Sequence, residues 1–119
     1  MNDRVVLVVD DDDLVRKVVR AVLEADDYEV LEAPNGELAL DMITERKPRL
    51  VILDVMMPGL DGVDVCRQMD HEDARVLMLT ARDDLETEDA SRAAGADDFL
   101  AKPFSSLELL EHVQKLVGT

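Results

Sequence analysis

The chain alternates between short unbroken apolar runs and longer stretches in which apolar residues recur every three or four positions. The runs are "VVLVV" at 5–9, "YEVL" at 28–31, "LVIL" at 50–53, "VLML" at 76–79 and "DFLA" at 98–101, spaced roughly 22–25 residues apart. Most are continuous rather than alternating, which is how strands read when both faces of a parallel sheet are covered. Between them lie helical stripes. Leu14, Val15, Val18, Val19, Val22 and Leu23 mark the first. Leu38, Ala39, Met42 and Ile43 mark the second, and Val63, Cys66 and Met69 the third. Leu109, Leu110, Val113, Leu116 and Val117 mark the last. The fourth helix, 84–94, has the weakest stripe, with Leu85, Ala90, Ala93 and Ala94 set among many charges.

Local start and stop signals fall in step with this reading. Asp12, Asn35, Asp61 and Ser105 stand where helix N-caps belong, and Ser105 with Glu108 forms a capping box. Asp13 then opens the first helix, where the helix dipole favours negative charge. Gly95 suits a left-handed cap at the end of the fourth helix. The pattern is an α/β protein, a (βα)5 unit whose right-handed crossovers produce a doubly wound parallel sheet with helices on both faces.

Composition narrows the class. At 119 residues and 47% hydrophobic, the chain reads as one folded domain over 1–119 rather than a disordered segment. It shows no apolar run of membrane-spanning length and no basic-then-apolar leader, so a cytoplasmic protein is expected. Its single cysteine, Cys66, forms no internal disulfide and reads as a buried helix thiol. His71 and His112 read as surface residues. A net charge of −15 argues against direct binding to nucleic acid or an anionic membrane and favours divalent cations or basic partner surfaces.

Candidate chemistry collects at one place. In open parallel sheets, ligands bind beyond the carboxyl ends of the strands. Asp10 and Asp11 follow the first strand, Asp54 the third, Thr80 the fourth and Lys102 the fifth. Carboxylates about 4 Å apart repel by roughly 4 kcal/mol at an effective dielectric of 20. They must therefore protonate, separate or bind a cation. An oxygen-only set with room for water suits Mg²⁺, with Mn²⁺ as a substitute. Lys102 and Thr80 suit phosphoryl oxygens, and an aspartate between a metal and a lysine is arranged as a nucleophile toward phosphorus.

The segments "LVVDDDD" at 7–13, "LVILDVMMPGLDG" at 50–62, "LMLTAR" at 77–82 and "AGADDFLAKPF" at 94–104 resemble the receiver domains of two-component response regulators over essentially the whole chain. The resemblance implies a flavodoxin-like strand order, 2-1-3-4-5. It implies that Asp54 accepts a phosphoryl group from a sensor histidine kinase or phosphotransfer protein and later loses it to water. Asp10, Asp11, Asp54 and the backbone carbonyl of Met56 would hold Mg²⁺. Thr80, the backbone N–H of Ala81 and Lys102 would hold the phosphoryl oxygens, and the Lys102–Pro103 peptide would be cis. The side chains of Met56 and Arg82 would flank the phosphoryl group and tune its lifetime. Thr80 and Phe99 would relay the change to an output face built from the fourth helix, fifth strand and fifth helix. That face would meet an output domain, a downstream partner or a second copy, although Glu111 and His112 depart from the receivers that pair there. Two other readings stand beside this one. A pseudo-receiver would keep the fold and bind partners without phosphorylation. A small phosphatase of the haloacid dehalogenase type would use Asp10 as nucleophile.

Overall fold

The computed structural model describes residues 4–81 and 85–118. Five strands alternate with five helices: β1 (Val5–Val9), α1 (Asp13–Glu24), β2 (Glu29–Ala33), α2 (Gly36–Arg46), β3 (Leu50–Asp54), α3 (Gly62–Gln68), β4 (Arg75–Thr80), α4 (Leu85–Ala94), β5 (Asp98–Ala101) and α5 (Ser106–Val117). All strand pairs are parallel and the sheet order is β2-β1-β3-β4-β5, as expected. β2 begins after Tyr28 rather than at it and runs on to Ala33. β3 and β4 extend far enough to include Asp54 and Thr80 as their last residues.

Strand alternation divides the core into two layers. Leu7, Val9, Val51, Leu53, Val76 and Met78 face α2 and α3, where Ala39, Ile43, Val65 and Cys66 meet them. Val6, Val8, Leu50, Ile52, Leu77 and Leu79 face α1 and α5, where Val19, Leu23, Leu109 and Val113 meet them. Both faces of the central strands are therefore dry, which is why those strands read as unbroken apolar runs.

The caps form at the expected residues. Asp12, Asn35, Asp61 and Ser105 each accept a backbone N–H from the first helical turn. The Ser105–Glu108 box is closed in both directions, and an unanticipated second box joins Asp61 and Asp64. Gly95 sits at φ 114°, and Ala96 N–H reaches back to Ser91 O (2.9 Å) to close α4.

The helical stripes are narrower than their sequence pattern. At 3.6 residues per turn, the six apolar positions of α1 spread over about half its circumference. The sheet covers only part of that arc. Val19 and Leu23 are buried and Val15 and Val22 half-buried, while Leu14 and Val18 face solvent. Leu38 is exposed on α2 for the same reason. On α4, Ala90 and Ala93 point outward, and Ser91 and Ala94 turn inward in their place. Ser91 is fully buried, so a polar residue occupies a position that an apolar stripe does not reveal.

The turn into α3 brings Gly62 against the end of β3. A Cβ on Gly62 would lie 2.3 Å from the carbonyl oxygen of Asp54. Gly62→Ala is expected to lower stability by about 1–3 kcal/mol, since that contact is backbone and has no flexible end to give way. Urea unfolding of the two proteins checks this, and an unchanged midpoint would show that the loop yields freely.

Candidate functional site

The strand order reverses direction at β1, so the crevice between the C-terminal ends of β1 and β3 is the place where such a sheet presents a ligand site. Asp10 follows β1 and is fully buried. Its N–H continues the ladder to Ala33 O (3.2 Å). Its Oδ1 accepts the N–H of Asp12 (2.9 Å), and its Oδ2 accepts from Lys102 Nζ (2.8 Å). Asp54 ends β3 and is also buried. Its Oδ1 accepts the N–H of Met56 (3.2 Å), and its Oδ2 lies 3.5 Å from the same Lys102 Nζ. One ammonium thus stands between two buried carboxylates.

The electrostatics follow from this count. Burial raises the Asp54 pKa to about 6, and the charge of Asp10 adds to the rise; Lys102 and the Met56 N–H oppose it. Burial pulls Lys102 downward, but its hydrogen bond to Asp10 and the charges of Asp54 and Asp10 outweigh this, so it is held above its ordinary value and stays protonated. Asp10, Asp11 and Asp54 each offer a carboxylate oxygen, all within 4.8 Å of one another, and Asp11 is exposed on the open side. Oxygen donors alone, one of them reachable by water, fit a hard dication, which would also offset the burial and repulsion that hold Asp54 up.

The remaining expected site residues lie in or just after β3, β4 and β5 in the sequence. Thr80 ends β4, is buried, and accepts the N–H of Lys102 through its carbonyl (2.7 Å). Ala81 follows it at the surface. Lys102–Pro103 is a cis peptide. Met56 is 73% exposed. Arg82 lies outside the described residues. Phe99 is half-buried against the α2–α3 layer, with the Arg92 guanidinium over its ring at 4.6 Å.

The acidic run at 10–13 divides as expected. Asp10 and Asp11 belong to the cluster, Asp12 caps α1 and Asp13 is its first residue. Arg16, which the sequence did not mark, pairs with Asp13 and also donates to the carbonyl of Asp10. Its spacing of three from Asp13 on one helix face was the available signal. The histidines are not simple surface residues. His112 Nδ1 meets Asp98 Oδ2 at 2.7 Å, and His71 Nε2 lies 2.6 Å from Cys66 O, packed where a Cβ on Gly95 would collide. Cys66 is buried as expected, and burial pushes its thiol up to about 11, so it remains protonated.

The model of the response regulator receiver domain matches residues 6–114. The chain belongs to that family. Among curated relatives, the response regulator MprA of Mycobacterium tuberculosis is 47% identical over 114 residues, 94% of this chain and 50% of that protein. The chain therefore spans about half the length of the curated relatives it matches. Among solved structures, a response regulator of Chloroflexus aurantiacus is 40% identical with a TM-score of 0.89, covering 98% of each chain. The chemotaxis protein CheY4 of Vibrio cholerae is 32% identical with a TM-score of 0.89, over 94% of this chain and 97% of its own. The protein is a receiver domain of a two-component response regulator. Such domains use Mg²⁺ at an acidic pocket and work between histidine kinases and output domains. No helix among the described residues is long and apolar enough to cross a membrane.

The raised Asp54 pKa makes a signed prediction. The folded value of about 6 lies above the ordinary 3.8, so the favourable contribution is fully present below 3.8 and is lost as pH rises through 6. Asp54→Asn, which cannot ionise, is expected to be more stable than the wild type by on the order of 3 kcal/mol at about pH 8 in chelator, falling to roughly half at about pH 5. Urea unfolding at both pH values measures it, and a difference independent of pH would contradict the assigned cause.

Proposed function

We propose that the chain acts as one receiver domain in which Asp54 is the phosphoacceptor, with Lys102 and Thr80 holding the transferred group. The observation that carries the reading is the setting of Asp54. Its carboxylate is buried between Lys102 Nζ and the Met56 N–H, with carboxylate oxygens of Asp10 and Asp11 within 4.8 Å. A bond forms from an Asp54 oxygen to phosphorus as the bond from phosphorus to the donor imidazole breaks, and that ring leaves neutral after taking a proton. Asp10, Asp11, Asp54 and the Met56 carbonyl would hold Mg²⁺, which would supply charge neutralisation at the phosphoryl oxygens. Lys102 supplies a fixed positive charge, and the Thr80 hydroxyl and the Ala81 N–H supply hydrogen bonds to the new oxygens. Asp54 must be ionised to attack; with a pKa of about 6 it is mostly so at neutral pH, and a bound cation would keep it ionised at lower pH.

The signal would leave through α4, β5 and α5. Phosphorylation adds roughly −1.5 to −2 charges next to Thr80. Thr80 and Ala101 are register partners, and Phe99 lies on the same strand as Ala101, so a movement of Thr80 reaches the β5 edge directly. Phe99 carries no hydroxyl, so its part in the switch rests on packing and on Arg92. Partners on that face would be an output domain, a downstream protein or a second copy.

The two rivals differ in the same measurement. Asp10 is fully buried and holds Lys102 at 2.8 Å, against 3.5 Å for Asp54, so Asp54 is the less tightly engaged of the two carboxylates and the better nucleophile. Incubation with Mg²⁺ and acetyl phosphate, followed by intact mass, is expected to add one phosphoryl group. The addition should vanish in Asp54→Ala and slow markedly in Lys102→Met. Labelling that persists in Asp54→Ala but not in Asp10→Ala would favour the phosphatase, and no labelling of the wild type would favour the pseudo-receiver.

A further inference from the structure

Arg16 lies one turn into α1, and its side chain is only 11% exposed. Its guanidinium reaches three partners. One terminal nitrogen donates to the main-chain carbonyl of Asp10 (2.5 Å), the other meets the Asp13 carboxylate, and Nε donates to Glu32 Oε1 (3.1 Å). Glu32 lies in β2 and is shared with Arg20, whose other terminal nitrogen reaches Val30 O at 2.7 Å. The peptide groups on both sides of Asp10 are thus tied toward β2: the N–H by Ala33 O and the C=O by Arg16, which Glu32 holds.

The carbonyl of Asp10 and the N–H of Asp11 share one rigid peptide plane. Fixing that carbonyl therefore fixes where the Asp11 Cα lies and leaves only rotation about its own bonds. The Asp11 side chain is exposed and has no hydrogen-bond partner among the described residues, so the backbone is what places it. An ordinary helix-surface ion pair would need one carboxylate. A planar fork spread over a loop carbonyl and two carboxylates, on a helix and a strand, sets geometry instead.

We propose that Arg16 is a positioning residue for the divalent-cation site, holding the β1–α1 loop through the Asp10 carbonyl so that Asp10 and Asp11 meet Asp54 around one ion, with Glu32 as its anchor. This rests on the reading of the aspartate cluster as that site. The sign of the effect separates position from charge. As a nearby positive charge, Arg16 disfavours a cation, and its removal would tighten binding. As the support of the loop, it favours a cation, and its removal weakens binding. Lysine keeps the charge but cannot make the fork.

Mn²⁺ binding to the whole chain, followed by the electron paramagnetic resonance of the free ion, decides between these. Arg16→Lys and Arg16→Gln are expected to weaken binding by roughly 10–100-fold, the range for residues that orient metal ligands. Glu32→Gln should weaken it less and in the same direction, and Asp11→Asn should abolish it. Unfolding midpoints in chelator establish that each variant is folded; if the Arg16 variants are not, Glu32→Gln decides when measured at about 1 M salt, where a pure charge effect is screened. Unchanged or tighter binding in the folded Arg16 variants, or in Glu32→Gln where that one decides, while Asp11→Asn loses it, overturns the role of Arg16 alone. Unchanged binding in Asp11→Asn overturns the site reading and this inference with it.

Discussion

Two buried carboxylates share one ammonium at the ends of the central strands, and the rest of the molecule is arranged around that fact. Asp10 and Asp54 each approach Lys102, and Asp11 brings a third carboxylate to the same edge. At an effective dielectric of 20, a carboxylate pair about 4 Å apart carries roughly 4 kcal/mol of repulsion. One lysine offsets only part of it, and burial together with the charge of Asp10 leaves Asp54 with a pKa near 6. The same imbalance is what a dication or an incoming phosphoryl group with its cation would relieve. Latent affinity and local instability are one quantity seen from two sides.

Such a site persists only where the scaffold holds the charges in place. Both faces of β1, β3 and β4 are covered by apolar layers, so the strand ends cannot splay to separate the carboxylates. Gly62 lets the start of α3 close against the carbonyl of Asp54, and the Met56 N–H then reaches Asp54 Oδ1. On the other wall, the Asp12 N–H holds the Asp10 carboxylate and the Arg16 fork holds the Asp10 carbonyl. The polar contacts are mostly backbone to side chain, which sets distances without adding charge.

Much of this was legible in the chain because it is local. Continuous apolar runs marked strands covered on both faces, and Asp12, Asn35, Asp61 and Ser105 marked helix starts. The polar residues after four of the five runs marked the site, because a parallel sheet delivers its strand ends to one edge. What was missed depended on partners distant in sequence. His112 read as a surface residue until α5 packed against β5 and brought Asp98 to it. Ser91 was passed over because a serine among charges carries no signal of burial. Leu14 and Val18 read as core because periodicity reports a face and not how much of that face the sheet covers.

The sequence by itself determined the number, type and order of the elements, their caps, and the set Asp10, Asp11, Asp54, Thr80 and Lys102, since each rests on neighbours a few residues away or on the rule that parallel strands end together. Tertiary structure alone decided that Lys102 lies 2.8 Å from Asp10 and 3.5 Å from Asp54, that Asp54 resists ionisation, and that Arg16 grips a loop carbonyl. Those are matters of distance and desolvation between residues up to 92 positions apart. A linear pattern carries no measure of either until the sheet has closed.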